Sequence, residues 1–162
     1  MAKSGYSALT PAPVALTANT ARSVLGVLAP ASLGFGLDLK KLRVGLYGVS
    51  ASGVPGDVEL CAATFTTNPP ATGTMAYATT VTPQQLYGRI IAPGFLAAAA
   101  WSSEPTVLTV IDTFPLSPNG GLALYDIPLG DTPDCAPAAG FVLRAKFAAA
   151  VTISAGLWLE RT

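Results

Sequence analysis

Between Val151 and Glu160 apolar and polar residues alternate without a break. Val151, Ile153, Ala155, Leu157 and Leu159 fall on one side, and Thr152, Ser154, Gly156, Trp158 and Glu160 on the other. A period of two over ten residues fits a strand with one buried face and fits no helix. The same alternation recurs along the chain. Leu42, Val44 and Leu46 oppose Arg43 and Tyr47 within Leu39–Val49. Val58, Leu60 and Ala62 oppose Glu59, Cys61 and Phe65 within Asp57–Thr66, and Phe141, Leu143 and Ala145 oppose Val142, Arg144 and Lys146 within Phe141–Phe147.

Further strands are predicted at Ala21–Ala29, Ala76–Val81, Gln84–Ile91, Thr106–Asp112 and Leu122–Ile127, giving about nine in all. Clusters of Gly, Pro, Ser and Asn at Ser50–Gly56, Asn68–Gly73, Ser117–Gly121 and Gly130–Pro137 punctuate them as turns. Phe95–Ser102 (FLAAAAWS) has the alanines of a helical turn, yet small residues also suit a closely packed strand; strand or loop is the expectation. Nine short strands in 162 residues predict an all-β fold, an antiparallel β-sandwich of the jelly-roll kind, with an immunoglobulin-like sandwich as the alternative. Residues 1–20, with two prolines and little periodic apolar pattern, read as an extended N-terminal arm. Residues 21–162 read as the sandwich domain.

Composition narrows the function. Nine basic and nine acidic residues make up only 11% of the chain, and formal net charge is zero. Concentrated Lys and Arg, which phosphate binding requires, are missing, so nucleic acid is not expected as a partner. The chain has no histidine, so Ser-His-Asp triads, Cys-His pairs and His-ligated zinc are excluded. The N-terminus is too polar for a secretory leader. No apolar run reaches the ~18 residues of a membrane helix. The cysteines, Cys61 and Cys135, form no CxxC pair; they are either two free thiols or a long-range disulfide.

Four groups of residues could carry chemistry. Asp126, Asp131 and Asp134 could ligate calcium, although their spacing is not that of an EF-hand and turn capping is the plainer role. Asp57 and Glu59 share a strand face, as a glycosidase carboxylate pair would, and as any solvated face does. Gly48-Val49-Ser50-Ala51-Ser52-Gly53 resembles a nucleophile elbow but has Ser where the second glycine belongs. Tyr6, Tyr47, Tyr77, Tyr87, Tyr125, Trp101 and Trp158 could build a carbohydrate platform, or serve as core and interface anchors. No catalytic, cofactor-binding or metal-binding residue is assigned, and the chain is not expected to be an enzyme or to need a cofactor.

The surface is more informative. A domain this apolar and this poor in Lys and Glu leaves much uncharged surface, and interface cores have that composition. A homo-oligomer is expected. A GC-rich genome would be an alternative source of the alanine content.

Several strings, TARSVLGVLAP, VELCAATFTT, SEPTVLTVID, SPNGG, YDIPLGDTPDC and AGLWLER, resemble small β-rich virion structural proteins of tailed phages from GC-rich bacteria. That group is similar to capsid decoration, or cement, proteins with jelly-roll, TNF-like trimers. The resemblance implies a non-enzymatic homotrimer, made in the host cytoplasm and seated on the outer capsid surface. Its partners would be its own copies and the major capsid protein, with no nucleic acid or membrane. The alternative is a minor tail or receptor-binding protein that recognises host-surface glycan.

Overall fold

Alternating segments become strands where one face can be buried, and thirteen strands, alternating or not, form among the residues described. The computed structural model describes residues 4–128 and 130–162. The strands are β1 (Gly5–Leu9), β2 (Val14–Leu16), β3 (Arg22–Leu28), β4 (Leu37–Tyr47), β5 (Gly56–Thr67), β6 (Thr79–Val81) and β7 (Gln84–Tyr87). They continue with β8 (Leu96–Ala99), β9 (Thr106–Leu116), β10 (Leu122–Asp126), β11 (Asp134–Cys135), β12 (Gly140–Lys146) and β13 (Val151–Arg161). Among the described residues a 3-10 turn, Ala31–Leu33, precedes β4.

They form two antiparallel sheets packed face to face, a β-sandwich. The first sheet runs β10-β4-β13-β1-β7, with β11 also on β4 and β2 also on β13; the second runs β6-β8-β3-β12-β5-β9. Pairing is nested. β5 pairs with β9, β4 with β10, β3 with β12 and β1 with β13, each pair enclosing the one before it in sequence. The core between the sheets is built from the predicted faces. Leu42 and Val44 of β4, Ile153, Ala155, Leu157 and Leu159 of β13, and Phe141, Leu143 and Ala145 of β12 are all buried.

Three expectations shift. The segment expected as an extended N-terminal arm is extended, but it pairs inside its own sheet. β1 lies between β13 and β7, and β2 lies on Val151–Ile153. Tyr6, Ala8, Val14 and Leu16 are core residues, so a boundary at residue 20 cuts through a sheet. The strands expected at Ala76–Val81 and Gln84–Ile91 shrink to three and four residues, while Thr106–Asp112 extends to Leu116. The alanine-rich stretch contains strand β8. Ala97, Ala98 and Ala99 are all buried, because Trp101 and the 68–78 loop cover the outer side of this part of the second sheet.

Trp101 explains a glycine in mid-strand. A side chain at Gly26 would collide with the Trp101 ring and with Val142. The indole N–H donates to the Asn68 carbonyl at 3.0 Å, and the Tyr77 hydroxyl donates to the Pro69 carbonyl at 2.6 Å. Glycine at 26 therefore lets the indole approach the backbone of β3 closely. Beside it, Cys61, Ala63, Phe65 and Val142 form a second apolar cluster.

Candidate interaction surface

The predicted chemical groups do not converge. Asp126 ends β10 and pairs with Lys41 at 3.2 Å, Asp134 sits opposite Asp38 in β11, and the Asp131 N–H donates to the Pro128 carbonyl in a turn. No cluster of three acidic or thiol groups suited to a metal occurs among the described residues. Asp57 and Glu59 do share the outer face of β5, and each faces a cation on β12: Lys146 opposite Asp57, and Arg144 opposite Glu59. The Arg144 Nε donates to Glu59 at 2.6 Å. Burial opposes the charge of this guanidinium, but the Glu59 hydrogen bond and charge outweigh it and hold the guanidinium above its ordinary pKa. That pair joins two strands across a sheet.

The Gly48–Gly53 segment is a serine-braced turn. The Ser50 Oγ accepts from the Ser52 N–H, the Ser52 Oγ accepts from the Val54 N–H, and the Asn119 side chain accepts from the Ser50 N–H. Gly48 takes a φ of 77° there, which a side chain would resist.

The cysteines are both free. Cys61 lies in the middle of the second sheet and Cys135 beside β4 in the first. Burial pushes each thiol up to about 11 from an ordinary 9.0. Alkylation by iodoacetamide at pH 8 is therefore expected to be slow on the native chain and to reach two adducts after denaturation. The linkage follows from the sign. Above pH 9 the unfolded thiols ionise while the folded ones stay protonated, so stability falls as pH rises from about 9 toward 11. Fast native labelling at either position would contradict this.

The aromatic residues do not form one platform. Tyr6 and Trp101 are buried in different parts of the molecule. Tyr87 lies on the β7 edge, where its hydroxyl donates to Glu160 at 2.8 Å; Tyr47 ends β4; Tyr125 lies on β10. Trp158 packs beside cations, with Lys41 Nζ and the Arg43 guanidinium each 5.7 Å from its ring centre.

One surface stands apart from the rest. β9 and β10 are edge strands of opposite sheets, and they lie on the same flank because β5 and β4 carry them there. β9 is eleven residues long and exposed along most of both faces. Between the two edges runs a groove of about 460 Å³ lined by Asp112, Phe114, Leu122, Ala123, Leu124 and Tyr125. Phe114 and Ala123 reach from it into the main core. Leu122 is 67% exposed, Leu124 55% and Tyr125 51%, with Val107, Val110 and Ile111 exposed along β9. A long apolar edge of this kind is a template for association. The strand signals at Thr106–Asp112 and Leu122–Ile127 were readable in sequence. That both strands are edges, on one flank, depends on nested long-range pairing and has no local signal.

The outer face of the first sheet continues from this flank, because β10 belongs to both. In register across it stand Leu124, Arg43, Gly156 and Leu9, and beside them Asp126, Lys41, Trp158 and Ser7. Leu9 and Trp158 fold over Gly156, where a side chain would collide with both.

Compared with protein-family models, curated proteins and solved structures, the chain matches none.

Proposed function

We propose that this chain is a non-enzymatic structural protein of a phage virion: an oligomeric decoration, or cement, protein that binds the outer capsid and clamps its subunits together. The open β9–β10 flank carries the reading. It is a long apolar surface on a rigid sandwich with little charge to keep it solvated, which suits a protein whose work is contact with other copies and other chains. The nested strand pairing supports the jelly-roll, TNF-like form of the sandwich, since two interleaved Greek keys produce that order of partners. The strings quoted from the sequence support a virion setting. Many copies on one lattice would turn modest single contacts into firm attachment through avidity.

The reading does not rely on a reaching arm, because β1 and β2 are used within the chain's own sheet. Binding falls to the faces and edges of the sandwich. Co-sedimentation with capsids of the phage that encodes the chain tests it. The expected result is saturable binding to assembled capsids and none to free capsid subunits. Absence of binding to assembled capsids would overturn the reading. The glycan-binding alternative gains nothing from the scattered aromatic positions.

A further inference from the structure

We infer that copies of this chain join flank to face: the β9–β10 groove of one copy seats on the outer face of the first sheet of the next, with Asp112 meeting Arg43. The inference rests on the oligomeric reading above and names the surfaces it uses.

Three observations lead to it. First, the groove holds a charge with no cationic partner. Asp112 lines the apolar groove, and the only hydrogen bond to its carboxylate among the described residues is from the neighbouring Thr113 N–H at 2.9 Å. Covering the flank with apolar surface alone would desolvate that carboxylate at a high cost. A covering surface must bring a cation. Second, the face offers one. Arg43 stands on β4, one strand in from the β10 edge, packed beside Trp158 and joined to no carboxylate among the described residues, whereas Lys41 beside it already pairs with Asp126. Around Arg43 stand the small residues Gly45 and Ser154, with Leu9 and Trp158 folded over Gly156 on the side away from the groove. The face thus sets a free cation beside the apolar surface of Leu9 and Trp158, the complement of an apolar edge with one acid.

Third, the simplest rival arrangement is disfavoured. A two-fold contact between flanks would bring Asp112 toward Asp112, a like-charge meeting in apolar surroundings. It would also ask β9 to extend its ladder through Pro115, which has no N–H to give. Flank-to-face contact avoids both. It is heterologous, since each copy contributes one of each surface, so it builds a ring where the rotation closes and a filament where it does not, rather than a two-fold dimer.

The experiment uses the full chain and sedimentation equilibrium on four proteins: wild type, Asp112→Arg, Arg43→Asp and the double variant. Both positions lie on the surface, and circular dichroism melts check that each variant folds. The expected result is a wild-type oligomer, at least about tenfold weaker association in each single variant, and recovery in the double variant, whose charges are exchanged and still complementary. If Asp112→Arg weakens association and Arg43→Asp leaves it intact, the flank meets some other surface; flank-to-face contact is then wrong while the oligomeric reading stands. If neither single variant changes the mass, flank-to-face contact is again wrong. A wild-type monomer at all concentrations overturns both.

Discussion

Removal of residues 1–20 unfolds the domain. β1 sits between β13 and β7 in the first sheet, and β2 lies against the start of β13. Together they bury Tyr6, Ala8, Val14 and Leu16. Burial of the three large side chains contributes roughly 5–9 kcal/mol at the usual 1.5–3 per side chain. A domain of this size has about 5–15 kcal/mol of net stability. The deletion also strips one side of β13 of its partner, opening an edge in the middle of the core. The Tyr6 hydroxyl bond to the Ile91 carbonyl and its edge-on contact with Phe95 are lost as well. Loss of a cooperative thermal transition, followed by circular dichroism, is the expected outcome. A truncated chain that melts near the full-length temperature would mean that β1 is dispensable and does not sit between β13 and β7.

Trp101→Ala costs about 3–5 kcal/mol, the range for emptying a buried aromatic site. The ring is 1% exposed, lies on Gly26 and anchors the 68–78 loop through the Asn68 carbonyl. Truncation leaves a void over β3 and β8 and an unpaired carbonyl in the loop. Urea unfolding would register the loss as a lower midpoint with little change in slope. A change under about 1 kcal/mol would mean that the ring is not packed in the core. Asp112→Arg serves as a contrast: on the open flank it alters association, and at concentrations low enough to keep both proteins dissociated its unfolding midpoint stays close to wild type.

These two effects mark where sequence reading succeeded and where it did not. The faces of β4, β5, β12 and β13 were legible because each strand has one buried and one outer side, and alternation records that difference directly. Gly5–Leu9 left little trace. Only Tyr6 and Ala8 face inward, Gly5 is fixed by the Tyr87 ring lying over it, and Ser7 is an outward residue that is nonetheless buried. Five mostly small residues carry too little periodic signal to outweigh two nearby prolines. β8 was ambiguous for the opposite reason: both of its faces are covered, so alternation vanishes. The association surface was legible only as a composition. Lack of charge predicted that some surface would be apolar, but its place on β9 and β10 follows from which strands end as edges, and that is a property of the whole pairing order. The acidic residues were ambiguous because turns, strand pairs and ligand sites all use the same side chains; their partners separate these roles.

The nested pairing also dictates a sequence of events in time. Gly5 meets Glu160, so the interior of the first sheet is closed by segments some 150 residues apart. On the ribosome, β1 must wait through the synthesis of nearly everything else before β13 exists to receive it. The inner pair, β5 with β9, can form early; the outer pairs can only follow. Long-range strand pairing of this kind folds in milliseconds to seconds rather than microseconds. Throughout that delay a weakly charged chain holds open, apolar strand edges. Yield in the cell would then depend on how crowded the nascent copies are with one another, and lower temperature or slower expression should raise the soluble fraction without any change in the folded protein.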